Sequence, residues 1–241
     1  MKKSLSEMTL AELWELFPIV LEPYNPMWEV WFFDEAAELR RVLGDGVARI
    51  SHIGSTAVKG LLAKPTVDIL AELHAESGVA FVKERLLSNG WLLMSERLSS
   101  VGENKVSGGN VETELLMSEI PSSIGTNKVS GGNAETELLL SNVSETPSPN
   151  FRLSFNKGYT PDGYAERVFH LHVVPLGECG EIYFRDFLRA NAEVAREYER
   201  LKLSLKQKYE HDRDAYTAAK AEFIAKYTVK PTDGVVKKSG E

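Results

Sequence analysis

His52-Ile-Gly-Ser-Thr-Ala-Val-Lys-Gly-Leu-Leu-Ala-Lys-Pro-Thr-Val-Asp68-Ile-Leu70 carries the densest signal in the chain. Val47 to Ile53 is β-compatible, Gly54-Ser55 interrupts it before an Ala/Leu-rich turn, and Thr66 to Leu73, just after Pro65, reads as a second strand. Gly54 lets backbone approach a ligand closely and Ser55 adds a hydroxyl, while a helix starting there would aim its amides and positive end at a phosphate. On the second strand Asp68 alternates with Val67 and Ile69, so its carboxylate faces away from the core and can hold a hard cation such as Mg²⁺ or another divalent ion. Lys64 can neutralise a phosphate or stand as a solvated lysine before a proline. The plainer alternatives are a capped tight turn at Gly54-Ser55 and a strand-end salt bridge at Asp68.

Upstream of this run, Thr9-Leu-Ala-Glu12 is a capping box with Leu10, Leu13, Leu16 and Phe17 at helical spacing, and residues 1–24 read as an N-terminal helical extension. Asn25-Pro26 offers a helix start, and the apolar spacing through Trp28, Phe32, Ala36 and Leu43 stops at Gly44. Downstream come a helix over Glu76 to Leu87 and a strand near Trp91. Then Leu92 to Glu114 is repeated in Leu115 to Glu137, and residues 92–150 are expected to be an expanded surface loop, since these Ser/Gly/Asn-rich units have too little apolar surface to stack as a solenoid. Phe151 to Asn156 and Arg167 to Val174 alternate as two strands joined through Thr160-Pro-Asp-Gly163. Helices follow over Glu181–Ala190, Ala192–Tyr209 and Asp214–Tyr227, with 229–241 a flexible tail. The pattern is α+β: a mixed β-sheet with helices on one face, a C-terminal helical segment, and one domain over 25–228.

Composition narrows the function. The 241 residues carry 28 Lys+Arg against 35 Asp+Glu for a net charge of -7, with 43% hydrophobic residues, a balance that excludes a disordered chain and disfavours non-specific grip on nucleic acid or an anionic membrane. No run reaches the roughly 18 apolar residues of a membrane span, and Met1-Lys2-Lys3 is followed by polar residues, so a cytoplasmic protein is expected. Cys179 is the single cysteine, which rules out an internal disulfide and a Cys-x-x-Cys pair.

His170 and His172 lie two apart on a strand, so both rings share the face opposite Phe169, Leu171 and Val173; they suit metal binding or proton transfer, or are satisfied structural histidines. Arg185, Asp186 and Arg189 place charges on a helix whose other side is apolar, either as a ligand-facing cluster or as a solvated face with internal ion pairs.

HIGSTAVKGLLAKPTVDIL, the later HLHVV, FRDFLRAN and the closing helix with Tyr216, Lys220 and Phe223-Ile224 together resemble the GrpB family, from about Thr9 to Tyr227 apart from the central insertion. The resemblance implies a nucleotidyltransferase-like fold, whose wider superfamily follows a Gly-Ser turn with an Asp-x-Asp or Asp-x-Glu pair and a third carboxylate on a neighbouring strand. Gly54-Ser55 and Asp68 match that spacing. Leu70 stands at the partner position, however, and His170 and His172 where the third carboxylate would come, a departure that weighs against two-metal transfer. Three readings follow. The first is a nucleotidyltransferase-like enzyme with Asp68, His170 and His172 as catalytic and metal residues, and with His52, Gly54, Ser55, Lys64 and Arg185 binding a nucleotide or phosphorylated small molecule. The second is a non-catalytic ligand-sensing or protein-binding module on the same fold. The third is a metal-dependent hydrolase built on His52, His170, His172 and Asp68.

Overall fold

Val67-Asp-Ile-Leu-Ala-Glu-Leu73 alternates side chains between two faces of a sheet, and both faces become buried. A computed structural model describes residues 3–98, 151–177 and 179–228. Five strands, β1 (Val47–Ile53), β2 (Val67–Leu73), β3 (Leu92–Leu98), β4 (Phe151–Thr160) and β5 (Gly163–Pro175), form one sheet in the order β1-β2-β5-β4-β3. The β2–β5 pair is parallel, whereas β1–β2, β5–β4 and β4–β3 are antiparallel, so the sheet is mixed as expected.

On the first face Val67, Ile69 and Ala71 of β2 and Leu171 and Val173 of β5 pack under α2 (Met27–Leu43) and α3 (Val79–Leu87), with Trp28, Leu39 and Leu86 closing the layer. Each of the Val, Ile and Leu side chains contributes roughly 1.5–3 kcal/mol by leaving water. Asn25 Oδ1 accepts from Met27 N–H at 2.9 Å to start α2, and Gly44, at φ 60, ends it. The second face carries Asp68, Leu70, Glu72, His170 and His172, and it is roofed by the C-terminal helices α4 (Gly180–Ala190), α5 (Ala192–Tyr209), α6 (Arg213–Ala218) and α7 (Ala221–Tyr227). Helices therefore cover both faces. The expectation of one covered face is corrected because Ile53, Leu70 and Val174 make the second face apolar enough to bury against Ile182 of α4.

Three boundaries also differ from the sequence reading. The first seven residues of the 92–150 segment form edge strand β3, paired from Leu92 with Asn156 to Leu98 with Phe151, so they are sheet and not loop. The second repeat and the 229–241 tail lie outside the described residues. Residues 1–24 are bound into the body beyond α1 (Leu10–Leu16): Phe17 and Ile19 are buried, Ile19 N–H donates to the Glu210 carbonyl at 2.8 Å, and Glu22 pairs with Ala63. The expected last helix is broken after Ala218, and Asp212 caps its first half by accepting from Ala215 N–H at 2.9 Å. No helix among the described residues is long and apolar enough to cross a membrane.

Leu70 is fully buried between Ile53 and Val174. Replacing it by aspartate, which would complete an Asp-x-Asp pair, is expected to cost roughly 3–5 kcal/mol through the lost apolar contacts and a buried unpaired carboxylate. Thermal unfolding of Leu70→Asp should then come roughly 10 °C lower; an unchanged melting temperature would show that this position tolerates a carboxylate.

Candidate functional site

The register of β2 and β5 sets Asp68 beside His170 and Leu70 beside His172. Asp68 is wedged at the mouth of the β1 turn: Gly54, at φ 69, lies so close that a Cβ there would collide with the Asp68 carboxylate. The close approach that needs a glycine is thus to Asp68. Ser55–Ala57 makes a single 3-10 turn before Val58 returns to extended backbone, so the helix expected to aim its N-terminus at a phosphate is absent here.

Asp68 Oδ1 lies 3.2 Å from His170 Nδ1, and His170 Nε2 lies 2.7 Å from the Tyr159 hydroxyl, on whose ring the imidazole stacks. Nδ1 thus faces the Asp68 carboxylate and Nε2 shares a hydrogen bond with the tyrosine hydroxyl. His170 is 3% exposed and both its nitrogens have partners. It backs Asp68, and both its nitrogens are taken up by protein groups and not by a metal position. His172 faces the same side, its Nδ1 3.5 Å from Ser154 Oγ, and lies near Glu181. Burial alone would raise the Glu181 carboxyl, yet the Arg152 guanidinium, ion-paired with it, and His172 hold it below its ordinary value.

A cavity of about 120 Å³ opens between this face and the C-terminal helices. Gly54, Ser55, Lys64, Asp68 and His172 line it from the sheet side, and Lys202 and Lys220 from the helices. Two expected ligand residues are elsewhere. Arg185 donates to the His52 carbonyl at 2.9 Å and pairs with Asp186, and together with Arg189, which donates to the Ala57 carbonyl at 2.8 Å, it clamps the turn's backbone. His52 points to the opposite face, stacked 4.8 Å from Phe32 with Nε2 3.0 Å from Thr56 Oγ1, because its position in β1 has the parity of Ile50 and not of Ile53. It lines a separate cavity with Lys59, Arg189 and Arg196.

Of the helix residues lining the cavity, Lys202 was missed from sequence, and Lys220 was noted there only as part of the closing helix. Lys202 sits in a Lys/Arg/Glu-laced helix, and its one legible signal is spacing: Tyr198, Lys202 and Leu205, at helical intervals, form the buried stripe of α5.

These donors do not fit a divalent metal. Asp68 has a buried leucine in place of its carboxylate partner, His170 is engaged through both nitrogens, and among the described residues no three His, Cys, Asp or Glu side chains converge. Burial pushes the Cys179 thiol up to about 12, which disfavours the reactive thiolate.

Burial pushes the His52 imidazole down to about 4, more strongly than Asp68 pulls it up. The unfolded chain therefore binds more protons between pH 6.5 and 4, and His52 contributes stability that is complete above 6.5 and lost by roughly 3 kcal/mol as pH falls through that window. Urea unfolding across this range should show a steeper acid loss in wild type than in His52→Gln; parallel curves would refute the buried neutral imidazole.

A family model described as GrpB protein matches residues 18–230. The UPF0157 protein YqkA of Bacillus subtilis is 25% identical over 89% of this chain and 48% of its own length. The UPF0157 protein PA4798 of Pseudomonas aeruginosa is 29% identical over 85% of the chain and 64% of its own. The chain thus spans about half to two thirds of these two curated relatives. The glutamate-rich protein GrpB of Alkalihalophilus pseudofirmus is 29% identical over 86% of the chain and 91% of its own length. A crystal structure of the conserved protein GrpB from Enterococcus faecalis aligns with a TM-score of 0.56 at 22% identity, covering 87% of this chain and 94% of that one, a likeness of fold. With its mixed five-stranded sheet, its Gly54-Ser55 turn against Asp68 and a family match over nearly its whole length, the chain belongs to the GrpB family.

Proposed function

We propose that this chain is a binding protein for a small phosphorylated molecule, held in the cavity between the sheet and the C-terminal helices. One observation carries the reading: in a chain of net charge -7, two lysines from separate segments, Lys64 and Lys220, line one cavity together with the Ser55 hydroxyl and the Lys202 amine. Ammonium groups are the usual point-charge partners of phosphate. The enclosed space of about 120 Å³ falls below the 300–1,000 Å³ of sites for drug-sized ligands, so it suits a phosphoryl group with a few further atoms. A nucleotide would leave its sugar and base toward the mouth.

Nucleotidyl transfer is the less supported reading, because in-line displacement on a triphosphate relies on carboxylate-held ions and Asp68 stands without Leu70's place being acidic. Asp68, backed by His170, serves here to accept a hydrogen bond from the ligand's hydroxyl or amine part and to fix its orientation.

Thermal shift with inorganic phosphate, glycerol phosphate and nucleotides, with and without Mg²⁺ or Mn²⁺, tests this. A ligand at about 100 times its Kd adds ~2.7 kcal/mol and should raise Tm by roughly 5–10 °C without metal. The rise should vanish in the double variant Lys64→Ala, Lys220→Ala. A rise that requires both metal and Asp68 would contradict the reading and favour the transferase; no rise with any phosphate would end it.

A further inference from the structure

Lys202 is a lysine placed where a solvated cation would not be. It is 3% exposed, in the stripe of α5 that packs on the cavity. Nζ donates to Ser55 Oγ at 3.1 Å and to the Leu62 carbonyl, and lies 4.9 Å over the Tyr198 ring. Both hydrogen-bond acceptors are uncharged. Glu199, the nearest acid along the helix, directs its carboxylate to the Leu62 N–H at 3.3 Å. A neutral amine has two N–H groups and one lone pair; with Ser55 and Leu62 accepting from the two hydrogens, the lone pair is left for the cavity that Lys202 lines.

Charge around the nitrogen acts in the same direction. Burial, then Lys220, then Lys64 push the Lys202 amine down to about 7, with Glu199 alone pulling it up. Desolvation and neighbouring cations are the two means by which lysines become nucleophilic near neutral pH.

We propose that Lys202 is a carbonyl-reactive amine, and that the cavity takes a small aldehyde or ketone carrying a phosphate. The substrate class rests on the phosphate reading above; the reactivity of the amine does not. In the step itself the Nζ lone pair forms a bond to the carbonyl carbon, the carbon–oxygen bond breaks, and the oxygen leaves as water with the two protons given up by nitrogen, leaving an imine. Burial does most to favour the unprotonated amine, and Lys220 and Lys64 add to it from the positions that would hold the phosphate. Ser55 holds Nζ at the phosphate end of the cavity.

The test is reductive trapping on the full chain at pH 7.5, with glycolaldehyde phosphate or uncharged propionaldehyde plus cyanoborohydride, followed by intact mass and peptide mapping. Lys202 should be alkylated first, one adduct per chain, at least about tenfold faster than exposed lysines such as Lys59. Inorganic phosphate should slow the reaction of glycolaldehyde phosphate, and Lys202→Arg should remove the fast adduct. Label spread over surface lysines with Lys202 unmodified would overturn the amine proposal, and if phosphate still raised Tm the binding reading would stand without it. Equal labelling of Lys202 by both aldehydes, indifferent to phosphate, would overturn the phosphorylated substrate class while the reactive amine stood.

Discussion

The contact between the Asp68 carboxylate and the backbone at Gly54 governs the geometry of the site. Asp68 projects from the sheet into the end of β1, and only a residue without a Cβ leaves it room. Gly54 then reverses the chain with a positive φ, which places Ser55 at the cavity wall and sends the following segment across to Lys64. Behind Asp68, His170 sets one ring nitrogen against the carboxylate and the other against the Tyr159 hydroxyl, so both nitrogens are engaged within the protein. A metal would have to break this arrangement to recruit His170.

The helices complete what the sheet begins. Arg185 and Arg189 of α4 donate to carbonyls at positions 52 and 57, fastening the helical roof to the turn, and Lys202 of α5 reaches Ser55 and Leu62 from above. Basic side chains thus approach the turn from two helices, the arginines bonded to backbone carbonyls and the lysine to a carbonyl and a hydroxyl in a buried space. The arginines stay charged there. Lysine can yield its proton, and this difference separates a structural clamp from a chemically competent group.

Much of this was legible in sequence, and the failures are instructive. Period-two alternation gave Asp68, His170 and His172 their common face, since side-chain parity in a strand needs no tertiary information. His52 was grouped with the ligand residues by its nearness to Gly54-Ser55, although the same parity rule applied within β1 puts it with Ile50 on the other face. Arg185 appeared as a ligand group because its backbone acceptors belong to a strand 133 residues away, invisible to local pattern. Lys202 was hidden because a lysine in a charged helix looks solvated until the partner of its face is known. β3 was merged with the insertion because its strand is an edge strand, with half-exposed residues that read as polar loop.

The central claim is that phosphate binds on the Asp68 side of the turn and not in the cavity lined by His52, Lys59 and Arg196. Amide and lysine-Nζ NMR during titration with inorganic phosphate decides it most directly. The account predicts saturable shifts at Ser55, Lys64, Lys202 and Lys220, with Lys59 and Arg196 unmoved. Shifts confined to Lys59, Arg189 and Arg196, or none at any of these residues, would contradict it.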